Sequence, residues 1–374
     1  MDNHLHIVCL DVPYPPDYGG VFDLFYKIKT LHKTGIKIHL HCFEYGRGEQ
    51  PELDKYCVEV TYYKRTFSLL DLFRRIPYIV SSRKNPDLLK NLTKDNAPVL
   101  LEGIHCSYYL QNDALKERKV LLRLHNVEYE YYHYLAGAED HFLKKIYYRI
   151  ESRWLKSYEK KITNKAKILT VNEKDLQTYR RVFKAENVEY MPVFLPFQLV
   201  NSLTGRNDFC LYQGNLSVPE NEKAVLWLLK NVFQSPDIKF VIAGKNPGNY
   251  LKKKISLNGH VILVENPDEE QMKKLIRDAH IHLIPSFNVT GIKIKLLNAL
   301  YNGRFIIANA ATLDGTGLND LCVLSETPAE FQENIQILMQ KTFTEEDKEW
   351  REKVLGELFN NDRNARLLIK CLFD

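Results

Sequence analysis

The sequence predicts an α/β protein with two doubly wound, Rossmann-like domains. Three observations predict it. Short apolar runs alternate with amphipathic stretches of helical period along most of the 374 residues, as in βαβ units that build parallel sheets. One core rarely organises so long a chain, and 45% apolar composition is enough to fill two. The alternation breaks at residues 192–208, where Pro192, Pro196 and Gly205 stand among mixed polar residues.

In the first half, the apolar runs place strands near 4–10, 36–43, 57–63, 98–102, 119–124, 167–171 and 187–191, with helices between most of them. Residues 22–33 show the helical pattern, since Phe22, Phe25, Tyr26, Lys29 and His32 recur so that the aromatics share one face. After the break, strands are expected at 209–213, 239–243, 261–264, 281–285, 305–308 and 321–324. The tail 345–373 is charged and helical in pattern, with Trp350, Val354, Leu355, Leu358, Leu367, Leu368 and Leu372 supplying apolar faces. The expected division is a first domain at 1–195, a linker at 196–208, a second domain at 209–345, and helices at 346–374 packing back across both. Ligands bind such sheets beyond the carboxyl ends of their strands, so the two sets of ends are expected to face each other across a cleft.

Composition narrows the function. The chain carries 52 basic and 47 acidic residues, a net charge of +5, too small for a general nucleic-acid binder. The seven cysteines (Cys9, Cys42, Cys57, Cys106, Cys210, Cys322, Cys371) are scattered, odd in number and never spaced as CxxC, which excludes a zinc ribbon and a disulfide framework. Several sit in apolar runs as small hydrophobes, which points to a reducing compartment and the cytoplasm. The first residues enter a strand without a secretory signal pattern, and no run reaches transmembrane length.

Candidate chemistry gathers after predicted strands. The run HIHLIPS (280–286) alternates like a strand, Gly291 frees the backbone, and Lys293 and Lys295 fall in the first turn of the next helix. Unpaired amides at a helix start attract anions, and two added ammonium groups there are unfavourable unless a multiply charged anion shares the site. The segment therefore reads as a diphosphate cradle, against the alternative of two solvated lysines. The loop DVPYPPDYGG (11–20) ends in Gly19 and Gly20 before a helix, so it is either a close backbone contact for phosphate or a structural turn. It is neither a GxGxxG motif nor a P-loop.

Beyond the strand at 119–124, His125, Asn126 and Glu128 stand where substrate is handled, and a histidine there can bind a hydroxyl or a phosphate. The alternative is a structural histidine with Glu128 capping the helix. Glu102 ends an apolar strand, either to bind an acceptor or to pair with a nearby cation. Basic and aromatic residues interleave at 62–78 and 142–154, a composition that suits either contact with an anionic membrane or solvated helices with aromatics facing the core.

Together these segments resemble the retaining family 4 glycosyltransferases of the GT-B fold, over nearly the whole chain. The matching pieces are the loop ending in Gly19 and Gly20, RLHNVE (123–128), LTVNEKD (169–175), YQGNL (212–216) with Asn221 and Trp227, IAG (242–244), and GIKIK (291–295) through Gly303. The resemblance implies a UDP- or GDP-linked sugar held mainly by the second domain, an acceptor held by the first, and neither metal nor cofactor. It implies that Gly20 offers its amide to the diphosphate, that His125 touches the transferred sugar, and that Lys293 or Lys295 neutralises the leaving phosphate. It also assigns Gly19, Asn215, Gly244, Thr290, Gly291, Ile292 and Asn298 to the donor, and Glu102, Asn126 and Glu128 to the acceptor.

Three positions depart from the family pattern. Asn298 stands where a glutamate usually holds the ribose, Asn215 replaces the usual Arg and Lys pair of the segment 214–220, and Thr290 replaces the earlier of two acids. The expected activity is transfer of a hexose, with retention, to a glycan or lipid-linked saccharide in the cytoplasm at the inner membrane face. The alternative is an inactive GT-B nucleotide- or glycan-binding partner of another transferase. A GT-B nucleotide-sugar epimerase would need a paired base and acid, which the sequence does not display.

Overall fold

The computed structural model describes residues 3–16, 19–66, 69–139, 141–235 and 237–374. Asp17 and Tyr18 of the proline-rich loop, and Phe67 and Ser68 of the first basic and aromatic segment, lie outside the described residues. The chain forms two units, one of 1–196 with 290–292 and 359–374, the other of 197–289 with 293–358.

In the first unit the elements run β1 (His4–Cys9), α1 (Gly19–Lys33), β2 (Lys37–Glu44), β3 (Glu59–Lys64), α2 (Leu69–Phe73), α3 (Tyr78–Ser81), α4 (Pro86–Leu92), β4 (Val99–Glu102), β5 (Val120–Leu124), α5 (Glu128–Ala138), α6 (Phe142–Ile162), β6 (Lys167–Thr170), α7 (Glu173–Val182) and β7 (Val188–Tyr190). The seven strands form one parallel sheet in the order β3-β2-β1-β4-β5-β6-β7. The order reverses between β1 and β4, and at such a switch point the two connections leave toward opposite faces and open a crevice at the carboxyl ends. Helices cover both faces, so central strands are buried on both sides and read in sequence as near-continuous apolar runs.

The second unit runs β8 (Phe209–Asn215), α8 (Pro219–Asn231), β9 (Lys239–Lys245), α9 (Asn249–Ser256), β10 (Val261–Glu265), α10 (Glu269–Asp278), β11 (Ile281–Ile284), α11 (Ile294–Asn302), β12 (Phe305–Ala308), α12 (Ala310–Leu313), β13 (Val323–Leu324), α13 (Pro328–Gln340) and α14 (Glu345–Leu358). Its six strands are parallel in the order β10-β9-β8-β11-β12-β13. Local chemistry sets several boundaries. Asp268 and Gln271 form a capping box at the start of α10, Thr327 and Glu330 do so at α13, and Pro328 occupies the first turn of α13, where its missing N–H costs nothing.

The last helix, α15 (Asn361–Phe373), belongs to the first unit, where Ala365, Leu368 and Leu372 enter the core beside α1. Asn361 ties it there, accepting from the Leu195 amide at 3.0 Å and donating to the Leu195 carbonyl at 2.7 Å. Among the described residues no helix is long and apolar enough to cross a membrane.

Candidate active site

At the carboxyl ends of β4 and β5, the first unit buries a cluster of opposite charges. Asp23 and Lys27 of α1, Glu102 of β4 and Arg123 of β5 are each fully shielded from solvent. Lys27 Nζ lies 2.5 Å from Glu102 Oε1 and 3.1 Å from Asp23 Oδ2. Arg123 clamps Asp23 with Nε at 3.0 Å and Nη2 at 3.1 Å, and donates to the Met191 and Pro192 carbonyls. Buried ions persist only when paired and hydrogen-bonded, and here two carboxylates meet two cations. Burial pushes the Glu102 carboxyl up, but the Lys27 ammonium and the His125 hydrogen bond outweigh it and hold the group below its usual range. Burial is likewise overcome at Asp23, by Arg123 and then Lys27.

This cluster positions His125. Its Nε2 is 3.1 Å from Glu102 Oε2 and its Nδ1 is 3.9 Å from Asp23 Oδ2, while the ring keeps 12% of its side-chain surface exposed. The expectation that Glu102 binds an acceptor is therefore corrected. Its carboxylate has no exposed surface, and its oxygens are engaged by Lys27 and His125, so it orients the histidine instead. Glu128 is buried as well, at the start of α5, where Asn126 Nδ2 donates to it at 3.2 Å. Burial pushes its carboxyl up to about 7, against the Asn126 hydrogen bond. Glu128 does not cap α5. Glu159 of α6 does, accepting from the backbone amides of Glu128 and Tyr129 at 3.0 and 3.2 Å.

Thr290, Gly291 and Ile292 belong to the first unit. Gly291 has φ +64°, and a Cβ there would meet Asn126 Oδ1 at 2.3 Å and the His125 carbonyl at 2.8 Å. Only glycine fits. Thr290 is buried and Ile292 half-buried. Gly19 and Gly20 are the first residues of α1, Gly19 exposed and Gly20 half-buried, at a helix end whose orphan amides suit an anion.

In the second unit, Lys293 is the N-cap of α11 and Lys295 its second residue. The Lys295 ammonium donates to Tyr212 Oη at 2.9 Å and Asn221 Oδ1 at 2.7 Å, and lies 4.6 Å from the Tyr212 ring centroid. Burial lowers its pKa to about 8, partly offset by Glu220. Glu220 in turn accepts from Ser286 Oγ at 2.8 Å. Gly244 packs against β8, where a Cβ would sit 1.9 Å from the Gly214 carbonyl. Asn215 Oδ1 is engaged within its own turn by the amide and hydroxyl of Ser217, and Asn298 Oδ1 accepts from Asn302 Nδ2 at 2.9 Å. Gln213, two residues before Asn215, buries an Nε2 that has no hydrogen-bond partner among the described residues. A buried donor left open in this way is matched when a ligand supplies the acceptor.

Asp23, Glu102 and His125 bring three metal-ligand types within 4.8 Å of one another. Asp23 already holds Arg123 and Lys27, and Glu102 holds Lys27, so a divalent cation would have to displace an ammonium or a guanidinium. Asp23 and Lys27 are absent from the sequence-based expectation, although the signal was present: two opposite charges four residues apart on the apolar stripe of α1, beside Leu24 and Ile28. Gln213 carried no such mark.

A family model for the glycosyl transferases group 1 matches residues 208–341. An uncharacterized 44.6 kDa protein in the cps region of Klebsiella pneumoniae is 30% identical over 332 residues, 84% of this chain and 84% of that protein. The second unit therefore carries a group 1 glycosyl transferase domain. Two solved structures share the chain's architecture. Sucrose-phosphate synthase from Thermosynechococcus elongatus superposes with a TM-score of 0.70 at 14% identity, covering 98% of each chain. HepE of Anabaena, solved in complex with UDP and glucose, superposes at 0.64 and 11% identity, covering 100% of this chain and 99% of that one. The fold of the chain is GT-B.

Proposed function

We propose that the protein transfers a hexose from a UDP- or GDP-linked sugar to a glycan or lipid-linked saccharide, with retention and without a metal. The observation that carries this reading is the buried, charge-balanced cluster that presents His125 at the strand ends of the first unit. A side chain held this way pays little reorganisation when positive charge develops at the anomeric carbon. In the second unit, Lys295 and Lys293 stand at the start of α11, where ammonium charge and helix amides suit a departing diphosphate. The pKa of about 8 leaves Lys295 mostly protonated at neutral pH. Glu128, buried at the start of α5, accepts from Asn126 Nδ2 at 3.2 Å and so fixes the orientation of the amide assigned to the acceptor. HepE's complex with UDP and glucose supports a nucleotide-sugar donor. The seven free cysteines support a reducing, cytoplasmic setting, and contact with the inner membrane face belongs to the same proposal.

The test is release of nucleoside diphosphate from UDP- and GDP-hexoses in the presence of saccharide acceptors, with the anomeric configuration of the product read by NMR. Inverted product would remove the stereochemical claim. A second reading is favoured by one observation, the engagement of Asn298 by Asn302 and of Asn215 by Ser217, which leaves two donor positions already occupied. In that reading the protein binds a nucleotide or glycan without turning it over. Tight nucleotide binding in calorimetry with no release from any donor would establish it.

A further inference from the structure

The two basic and aromatic segments of the sequence meet around one cavity of about 910 Å³ in the first unit. Arg74 and Arg75 just after α2, Lys84 after α3, and Arg153 and Lys161 of α6 line it. No carboxylate lines it among the described residues. Lys84 is partnered by buried Asp71 at 3.6 Å, but Arg74, Arg75, Arg153 and Lys161 make no ion pair or side-chain hydrogen bond among the described residues. Four unpaired cations around one void repel one another, and an anion seated among them relieves that repulsion.

The apolar side chains say what kind of anion. On α6, Phe142, Ile146, Ile150 and Trp154 recur every four residues and so share one face. Ile150 and Trp154 line the cavity, while Phe142 is 70% exposed and Ile146 continues the stripe into solvent. On α2, Leu69, Leu70 and Phe73 are also exposed, Phe73 by 82%, immediately before Arg74. Exposed apolar surface that runs into a basic cavity is the pattern of a protein lying on an anionic bilayer. An acidic glycan would use the cations and have no use for the leucines.

We propose that this cavity takes the phosphate of an anionic lipid headgroup while the exposed side chains of α2 and of the start of α6 enter the bilayer. The inference rests on the reading of a transferase working at a membrane face, and it names the place where the membrane is held.

The full chain is sedimented with vesicles of phosphatidylcholine alone and with phosphatidylglycerol added. Binding is expected only to the second. The triple variant Arg74→Ala, Arg153→Ala, Lys161→Ala, at exposed positions, should lower partitioning about a hundredfold, and Phe73→Ser with Phe142→Ser at least about tenfold. The triple Lys230→Ala, Lys253→Ala, Lys254→Ala removes the same charge from the second unit and should stay within about twofold. Equal losses in the two triples would reduce the effect to net charge and overturn the site. So would capture of a soluble acidic polysaccharide by the cavity residues without vesicle binding. The readout needs no nucleotide sugar: vesicle binding without detectable transfer leaves the lipid site standing and removes the transferase reading, whereas transfer without vesicle binding removes the site alone.

Discussion

Neutralising Asp23 should unbalance the buried cluster. Its carboxylate receives Arg123 Nε and Nη2, Lys27 Nζ and, at 2.6 Å, the Phe194 amide. With Asp23 and Glu102 charged against Lys27 and Arg123, the cluster sums to −2 + 2 = 0, and Asp23→Asn leaves +1 with no exposed surface. Removing one partner of a buried pair costs about 3–5 kcal/mol, because the remaining charge stays desolvated. That is a large share of a typical folding stability of about 5–15 kcal/mol, and corresponds to a fall in Tm on the order of 10 °C. Urea unfolding followed by circular dichroism measures it. Adding Lys27→Met to Asp23→Asn removes the surplus charge and should recover a kilocalorie or more, on the order of the coupling between contacting residues. The sign with pH follows from the depressed carboxyl. Asp23's stabilisation is complete above its ordinary value of 3.8 and is lost as pH falls below it, so Asp23→Asn should flatten that part of the acid limb. Stability of Asp23→Asn within about 0.5 kcal/mol of wild type, or a double variant weaker than the single, would refute the charge-balance reasoning.

Three further outcomes are expected. His125→Ala should lower turnover by about 10²-fold or more while donor affinity changes little, and unchanged turnover would make the histidine purely structural. Lys293→Ala with Lys295→Ala should weaken nucleoside diphosphate binding at least about tenfold in calorimetry, whereas Lys144→Ala, on α6, should leave it alone; equal affinities for all three proteins would refute the assignment. Burial holds both His41 and His282 down at about 3, so between the ordinary value of 6.5 and that pH the unfolded chain binds protons that the folded chain refuses. Stability should therefore fall on acidification, by up to about 4 kcal/mol from pH 7 to pH 5 for the pair, and a flat profile of unfolding free energy would contradict the burial of these rings.

The strands were legible because a sheet covered on both faces writes itself as apolar runs; β1, β5 and β8 lie within a residue or two of their expected bounds. β13 is shorter than the run at 321–324 implied, since 319–321 turn as a single 3₁₀ segment before it. The positions of Gly291 and His125 were legible as loop residues beyond strands. The role of Glu102 was not, because a carboxylate at a strand end looks the same in sequence whether it meets solvent or a buried lysine from a helix 75 residues earlier. The same holds for Lys295, whose tyrosine and asparagine partners come from β8 and α8. Pairings of that kind depend on packing across layers, which periodicity does not encode.

The contact between Leu195 and Asn361 joins residues 166 positions apart, with nearly all of the second unit strung between them. A ribosome therefore delivers the helix that finishes the first hydrophobic core only after an entire other sheet has been synthesised. Until then, the groove beside α1 waits with its leucines uncovered. Because closing a loop costs entropy that grows only logarithmically with its length, the long detour itself is a modest burden. A chaperone that shields that groove during translation would be guarding a vacancy built into the order of the gene.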